Sequence, residues 1–415
     1  MATTPAGRIV SLDILRGVAV MAILSVNIVG MAMIESAYFY PPHYGFGSTG
    51  DRVMWALNSV LVDGRFRSLF SILFGASLTL VVSRAVAAGR KGWAVHYPRM
   101  IVLLLFGVLH YYLLWWGDIL VNYALVGMIA FVFWRLDASK LMAAAALVLA
   151  VYYLPQTVDG MAQIAKVEAG LTPGAAPDLR AAVEQMLTTP RVPAEETAAA
   201  KAAHASIVAH FRAMTSGDAA MRPWYSLPGY GLETLGLMLI GMAGLKSGFL
   251  TASWSRRSYV LTAALCLGLD LTVHAIAAVL ILRADFAPQV FYPWTHLYVN
   301  PLHPVGAIGY AALIILVFSR PGPLADRIAA VGRAAFSNYL GSTLIGTVLF
   351  FGTGLGLFGE VSRGQAWLFV PPIWALMLLW SKWWLDRFRY GPFEWAWRSL
   401  SRWQVEPLRR SPLPA

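Results

Sequence analysis

An all-α, polytopic membrane bundle is the fold class this sequence predicts, and three observations predict it. Of its 415 residues, 58% are hydrophobic and only 13% are charged, against about 45–50% and about 25% in soluble globular chains. Long stretches without Asp, Glu, Lys or Arg recur along the chain, and a helix needs about 20 mostly apolar residues to cross the hydrocarbon core. The basic residues sort to one side once those stretches are threaded through a bilayer. Soluble, disordered, collagenous and disulfide-framework classes are excluded. The single cysteine, Cys266, permits no intrachain disulfide.

The elements follow in order. Charge-free stretches at 17–34, 68–83, 100–117, 119–134 and 141–158 predict five spans. Segments near 229–247 and 258–282 are apolar apart from Glu233, Lys246 and Asp270, and predict two more. Prolines at 288, 293, 301 and 304 confine the spanning part of 286–319 to about 302–319. The stretches 334–359 and 364–381 bring the count to ten. With the N-terminus inside, 21 of the 32 basic residues fall on the inner face and five on short outer segments. The net charge of +11 is then a sign of N-in, C-in topology, with no nucleic-acid partner implied. Asp13 and Arg16 interrupt the approach to the first apolar run and no small-residue cleavage site follows it, which argues against a signal peptide.

Four parts result. Residues 1–158 form a first membrane bundle of five spans, and 223–390 form a second. Residues 159–222 are a near-neutral insertion, predicted as two or three short helices on the outer face. Pro193, Glu195 and Glu196 suit a helix start, and Ala198 to Met214 is helix-forming. Its His204 and His210 lack metal-ligand spacing with any carboxylate, so the insertion reads as a solvated lid. Residues 391–415 are a tail whose GPFEWAWRSLSRW run, Gly391–Trp403, suits an amphipathic helix anchored on the inner leaflet.

Ionisable groups inside spans are costly and mark functional sites by default. Asp270 and His274 share one helical face at i,i+4 and suit a proton relay or a polar contact between helices. A second group gathers near the outer ends of the first four spans: Asn27, His43, Asp63, Arg65, Arg67, His110 and Asp118. A neutral histidine beside a carboxylate is a general base, because the carboxylate sets its tautomer and stabilises its protonated form. His110 with Asp63 and Asp118 fits that pattern, and His43 is a loop alternative. Glu233, opening the sixth span, lines the outer mouth of a cavity or sits at the interface. His296 and His303 read as structural. The G-x-G-x-x-G match at 354–359 has no preceding strand and carries no dinucleotide reading.

Several motifs then resemble the YeiB-like family of bacterial membrane proteins. They are RIVSLDILRG from Arg8 to Gly17, DGRFRSLFSILFG from Asp63, HYYLLWWGDILVNYALVG from His110, VGRAAFSNYLGST from Val331 to Thr343, and GPFEWAWRSL from Gly391 to Leu400. The opening motif is also similar to that of heparan-α-glucosaminide N-acetyltransferase. That likeness implies a multi-pass acyltransferase of the bacterial inner membrane, passing an acyl group from cytoplasmic acyl-CoA, such as acetyl-CoA, to a small-molecule or glycan acceptor outside. The acyl-CoA is a co-substrate, and no tightly bound cofactor is expected. The enzyme's asparagine at the end of its first span matches Asn27. Its histidine in the following loop points to His43, at a different spacing, so His110 competes for the role. Arg16, Arg99 and Arg333 at the inner mouth suit CoA phosphates, and Asn27 or Asn338 would polarise the thioester carbonyl. A small-metabolite or proton-coupled transporter using Asp270–His274 is the alternative, and a scaffold protein the third. A homodimer is the commonest assembly for a chain that self-associates.

Overall fold

Backbone polar groups go unpaired in hydrocarbon unless the segment pairs its own, so an apolar chain crosses as helix. The computed structural model describes residues 9–188 and 192–409, and Arg8, Arg191 and Arg410 lie outside the described residues. Helices carry the fold, and no strand forms among the described residues. The principal ones, numbered in chain order, are α1 (Val10–Ala32), α2 (Thr49–Leu61), α3 (Arg65–Ala87), α4 (Gly92–Leu113), α5 (Leu120–Ala130) and α6 (Ala138–Leu171). They continue as α7 (Arg222–Lys246), α8 (Arg256–Arg283), α9 (His303–Val317), α10 (Pro323–Arg333), α11 (Ala335–Phe350), α12 (Val370–Arg387) and α13 (Pro392–Arg402).

Among the described residues, seven segments are long and apolar enough to cross a membrane: α1, α2 with α3, α4, α6, α8, Pro288–Val317, and Arg363–Arg387. The other three expected spans are also helical. Two of them, α5 with 11 residues and α11 with 16, fall short of the usual crossing length, and α7 opens on the mixed run Arg222–Tyr230. Three boundaries differ from expectation, and the first is that of α11, which ends at Phe350 rather than 359. The prolines at 288, 293, 301 and 304 open successive helical turns rather than ending one, since a first-turn residue needs no N–H donor; the helical path therefore runs unbroken from Pro288 to Val317. Helix α6 passes residue 158 and continues to Leu171. The insertion adds helices Pro177–Leu187, Ala194–Ala203 and Ile207–Met214. The expected continuous helix through 214 breaks at His204 because the Ser206 hydroxyl accepts the Ala209 N–H and starts a new one.

Helix α1 is the hub. Leu12, Leu15, Ile28 and Ala32 are buried with almost no exposure. Its Gly17 lies so close to α10 that an added Cβ would strike the Ile328 carbonyl, and one on Gly332 would strike the Asp13 carbonyl. Small residues are what allow two backbones to approach this closely in a membrane.

The tail helix is tied to the bundle. Glu394 on α13 accepts hydrogen bonds from the backbone N–H groups of Phe336 (2.7 Å) and Ser337 (3.1 Å), and from the Ser337 hydroxyl (2.5 Å). A carboxylate at the start of α11 satisfies donors that a helix leaves free, and favours its dipole. Burial nonetheless raises the Glu394 carboxyl above its ordinary value, against those hydrogen bonds. Two of the sequence motifs thus meet at one contact. Glu394→Ala is expected to cost about 1–3 kcal/mol, by leaving the two N–H groups unpaired. Thermal unfolding in detergent, with faster protease cleavage after Tyr390, checks this; an unchanged midpoint and cleavage rate contradict it.

Candidate functional site

His110 sits in the last turn of α4, and the chain reverses through Trp115–Gly117 into α5. The indole N–H groups of Trp115 and Trp116 both donate to the Gly30 carbonyl, at 3.1 Å each, pinning that reversal to the end of α1. Asp118 then does two things. One carboxylate oxygen accepts the Val121 N–H at 2.8 Å and starts α5. The other lies 2.7 Å from His110 Nδ1. Both side chains are about 1% exposed. On the far side of the ring, Nε2 is 3.0 Å from the Thr343 hydroxyl on α11. With its proton on Nδ1, facing Asp118, the ring turns an Nε2 lone pair toward Thr343. Carboxylate, imidazole and hydroxyl therefore stand in line, with the Tyr339 ring 5.3 Å from His110. Thr343 was not among the expected site residues. It ends the motif VGRAAFSNYLGST, but nothing local in the sequence brings α11 to α4.

The insertion closes over this array. Tyr111 and Tyr112 donate from their hydroxyls to the carbonyls of Ala219 (2.7 Å) and Ala220 (2.6 Å), and Arg222 pairs with Glu35. Lys201 pairs with Glu360 at 2.7 Å, and Gly352 donates its N–H to the His204 carbonyl. The expected solvated lid is a docked one. His210 is fully buried, its ring packed against those of His204 and Phe351. The His204 ring stacks on Phe358 at 3.7 Å.

Burial lowers both imidazoles from 6.5 to about 4, with neighbouring His204 and His110 adding to the effect at His210. Undocked, each titrates near its ordinary value of about 6.5. Above that pH docked and undocked forms carry the same protons, so docking is undiminished. From about 6.5 down to about 4 only the undocked form takes them up, and docking weakens by about 3 kcal/mol per imidazole at the acid end. Amide exchange of 194–214 is expected to be slow at neutral pH and to lose protection toward about pH 4–5. His204→Phe with His210→Phe removes that pH dependence. Protection unchanged down to the acid end contradicts the reading.

Other expected residues fall into separate places. Arg67 Nη2 reaches both oxygens of Glu233, at 3.0 and 2.8 Å, and the Tyr153 hydroxyl donates to the same carboxylate at 2.9 Å. Arg67 keeps 31% exposure, whereas Glu233 is buried. Asp63 is exposed at the α2–α3 turn, within electrostatic range of Tyr38 and Arg363. Asn27 is half-buried one turn before Gly30 on α1. His43 packs edge-on to Tyr40, with Phe291 and Tyr292 behind it, and among the described residues no contact joins it to His110 or Asp118.

Arg65 and the Asp270–His274 pair form one buried cluster. Arg65 Nε donates to Asp270 at 2.7 Å with neither side chain exposed, so Arg65 serves this ion pair rather than a ligand outside it. His274 Nδ1 is 2.8 Å from the Asp270 carbonyl, and its ring stacks with His303 at 5.7 Å. His303, expected to be structural, thereby joins the cluster. Among the described residues, Arg65 Nη2, His274 Nε2 and His303 Nδ1 have no hydrogen-bond partner, and the second Asp270 oxygen lies 3.3 Å from His274 Nδ1.

The three arginines assigned to phosphates share one end of the bundle. Arg16 bonds Asp13 (3.2 Å) and Ser77 (2.7 Å), and the contact of Gly332 with Asp13 places Arg333 beside them. Arg99 lies 4.3 Å over the Trp397 ring, near Arg398 and Arg402. Along α4, Arg99 and His110 are about 16 Å apart at the helical rise. Asn338 is not available to a thioester. Its amide donates to the Val331 carbonyl and the Ser381 hydroxyl, and its oxygen accepts from Trp380.

Residues 245–404, from the end of α7 through α13, match a family model described as "Protein of unknown function (DUF418)". Over 406 residues the chain is 33% identical to the uncharacterized protein YeiB of Escherichia coli (strain K12), covering 95% of this chain and 96% of that one. It is 25% identical to the uncharacterized protein YxaH of Bacillus subtilis (strain 168) over 428 residues, or 97% and 96% of the two chains. An uncharacterized 39.9 kDa protein from Bacillus acidopullulyticus is 22% identical, over 95% and 94% of the chains. No solved structure matches. With identity at this level over nearly the whole of both chains, this multi-pass membrane protein belongs to the YeiB-like, DUF418 family.

Proposed function

We propose that the chain is an acyltransferase of the bacterial inner membrane, N-in and C-in, that uses cytoplasmic acyl-CoA and delivers the acyl group to an acceptor hydroxyl or amine, such as a sugar's, on the outer side. The observation that carries this reading is the buried line Asp118–His110–Thr343. Asp118 holds the His110 tautomer and stabilises the imidazolium, and His110 Nε2 is the base. The Arg16, Arg99 and Arg333 end takes the CoA phosphates. In the transfer His110 accepts the proton of the attacking hydroxyl or amine, the new acyl bond forms, the thioester C–S bond breaks, and the proton passes to the departing thiolate. In this reading Asn27 would polarise the carbonyl. The resemblance of the opening motif to a transmembrane acetyltransferase supports the same class.

Membranes containing the protein, given radiolabelled acetyl-CoA and a panel of sugars, test the reading. Label is expected to reach an acceptor with wild type and with His43→Ala but not with His110→Ala. Full turnover in His110→Ala overturns the mechanism.

One observation favours a second reading, a proton-coupled or small-metabolite transporter. It is the Arg65–Asp270–His274–His303 cluster, whose unpartnered atoms lie within the bundle. Solute flux that survives His110→Ala and is lost in His274→Phe would favour it.

A further inference from the structure

A groove of about 600 Å³ opens where the starts of α1 and α8 meet the end of α9. Its floor is apolar, with Ile14, Ile314, Ile315 and Phe318, and its rim carries two cations, Arg256 and Arg320, against one carboxylate, Asp326. Both arginines are exposed, and among the described residues neither has an acidic partner within ion-pair distance. Arg256 and Arg257 also occupy the first turn of α8, which contains no acidic residue. Cations are unfavourable at that end of a helix, where the backbone already presents positive partial charge. An anion bound there removes the conflict.

The surroundings say which anion. Val10, Val260 and Val317 lie on the same three helices, with outward faces exposed at 42%, 45% and 63%. Such faces suit lipid chains, so the groove is flanked by surface that meets hydrocarbon rather than water. Trp254 lines the groove and is 40% exposed, as befits an indole at headgroup depth. We propose that the groove binds an anionic phospholipid of the bilayer, with its phosphate on Arg256 and Arg320 and its upper acyl chains along Ile14, Ile314 and Phe318. This site is independent of the acyl-transfer reading, since none of its residues belongs to the His110 array.

The test uses the full chain, purified and delipidated in detergent. Phosphatidylglycerol is expected to be retained as a one-to-one adduct in native mass spectrometry and to raise the unfolding midpoint. Phosphatidylcholine and inorganic phosphate are each expected to do neither. Arg256→Gln with Arg320→Gln is expected to weaken phosphatidylglycerol binding at least about tenfold. Arg90→Gln with Lys91→Gln, outside the groove, is expected to leave it unchanged. Four results would each overturn the proposal. They are equal retention of phosphatidylcholine, an equal shift with inorganic phosphate, equal loss in the two double variants, or undiminished binding when Arg256 and Arg320 are replaced.

Discussion

On the proposed acyltransferase mechanism, Asp118→Asn is expected to leave the protein folded and to lower acyl transfer by roughly 10³–10⁴-fold, the scale set by replacing the acid of a carboxylate–imidazole–hydroxyl line with its amide. The asparagine oxygen still accepts the Val121 N–H and keeps α5 capped. Its NH₂ group, however, now faces His110 Nδ1 as a donor. The imidazole proton is driven to Nε2, where it points at Thr343, and the base is lost. Initial rates on membranes, read beside the unfolding midpoint, separate chemistry from folding. A rate within a few-fold of wild type with the fold intact would sink the assignment. Thr343 divides the mechanism further. If its hydroxyl carries the acyl group, Thr343→Val is as inactive as Asp118→Asn, while Thr343→Ser retains turnover. If the acceptor displaces it and meets His110 directly, Thr343→Val keeps most of the rate.

Arg65→Met is expected to destabilise the protein by about 3–5 kcal/mol, because it strands the fully buried Asp270 carboxylate. Asp270→Leu strands the guanidinium and costs a similar amount. The double variant Arg65→Met with Asp270→Leu recovers most of the loss, since an apolar pair of comparable volume replaces a buried ion pair at little net cost. Thermal unfolding of all four proteins in one detergent measures the coupling. If the double variant is as unstable as the sum of the singles, the two charges do not act as a pair. Gly306 makes the test stringent, because an added Cβ there would meet both Asp270 and Arg65 and shows how little free volume surrounds them.

What the sequence made legible depended on distance along the chain. Apolar run length located the helices well, because the cost of an unpaired backbone group in lipid acts on each segment separately. The His110–Asp118 contact was legible for a related reason: eight residues and one tight reversal join them. Thr343, 233 residues from His110, was not, because helix periodicity says which face is apolar and not which helix lies against it. Asp270 and His274 read as a pair from their i,i+4 spacing, yet the carboxylate's strongest partner is Arg65 on another helix. The insertion misled in the opposite sense. Its Ala-rich, charge-balanced composition reads as solvated, and only its docking against α4 and the loop after α11 buries His204 and His210. At 288–304 the prolines read as breaks, since a sequence does not state whether a proline opens a turn or falls inside one.

The Arg65–Asp270 pair also has a consequence for biogenesis. An Asp at the centre of a membrane helix costs about 2.5–3.5 kcal/mol to insert, and α8 places Asp270 near its middle. Its counter-charge is made 205 residues earlier. At cellular synthesis rates of about 5–20 residues per second, Arg65 waits roughly 10–40 s for it. During that interval the nascent chain holds an unmatched cation at the start of α3, and only the arrival of α8 discharges it. The ion pair therefore closes only after α8 has been made, and until then Arg65 has only the carbonyls of Ser59 and Asp63 from its own segment to donate to.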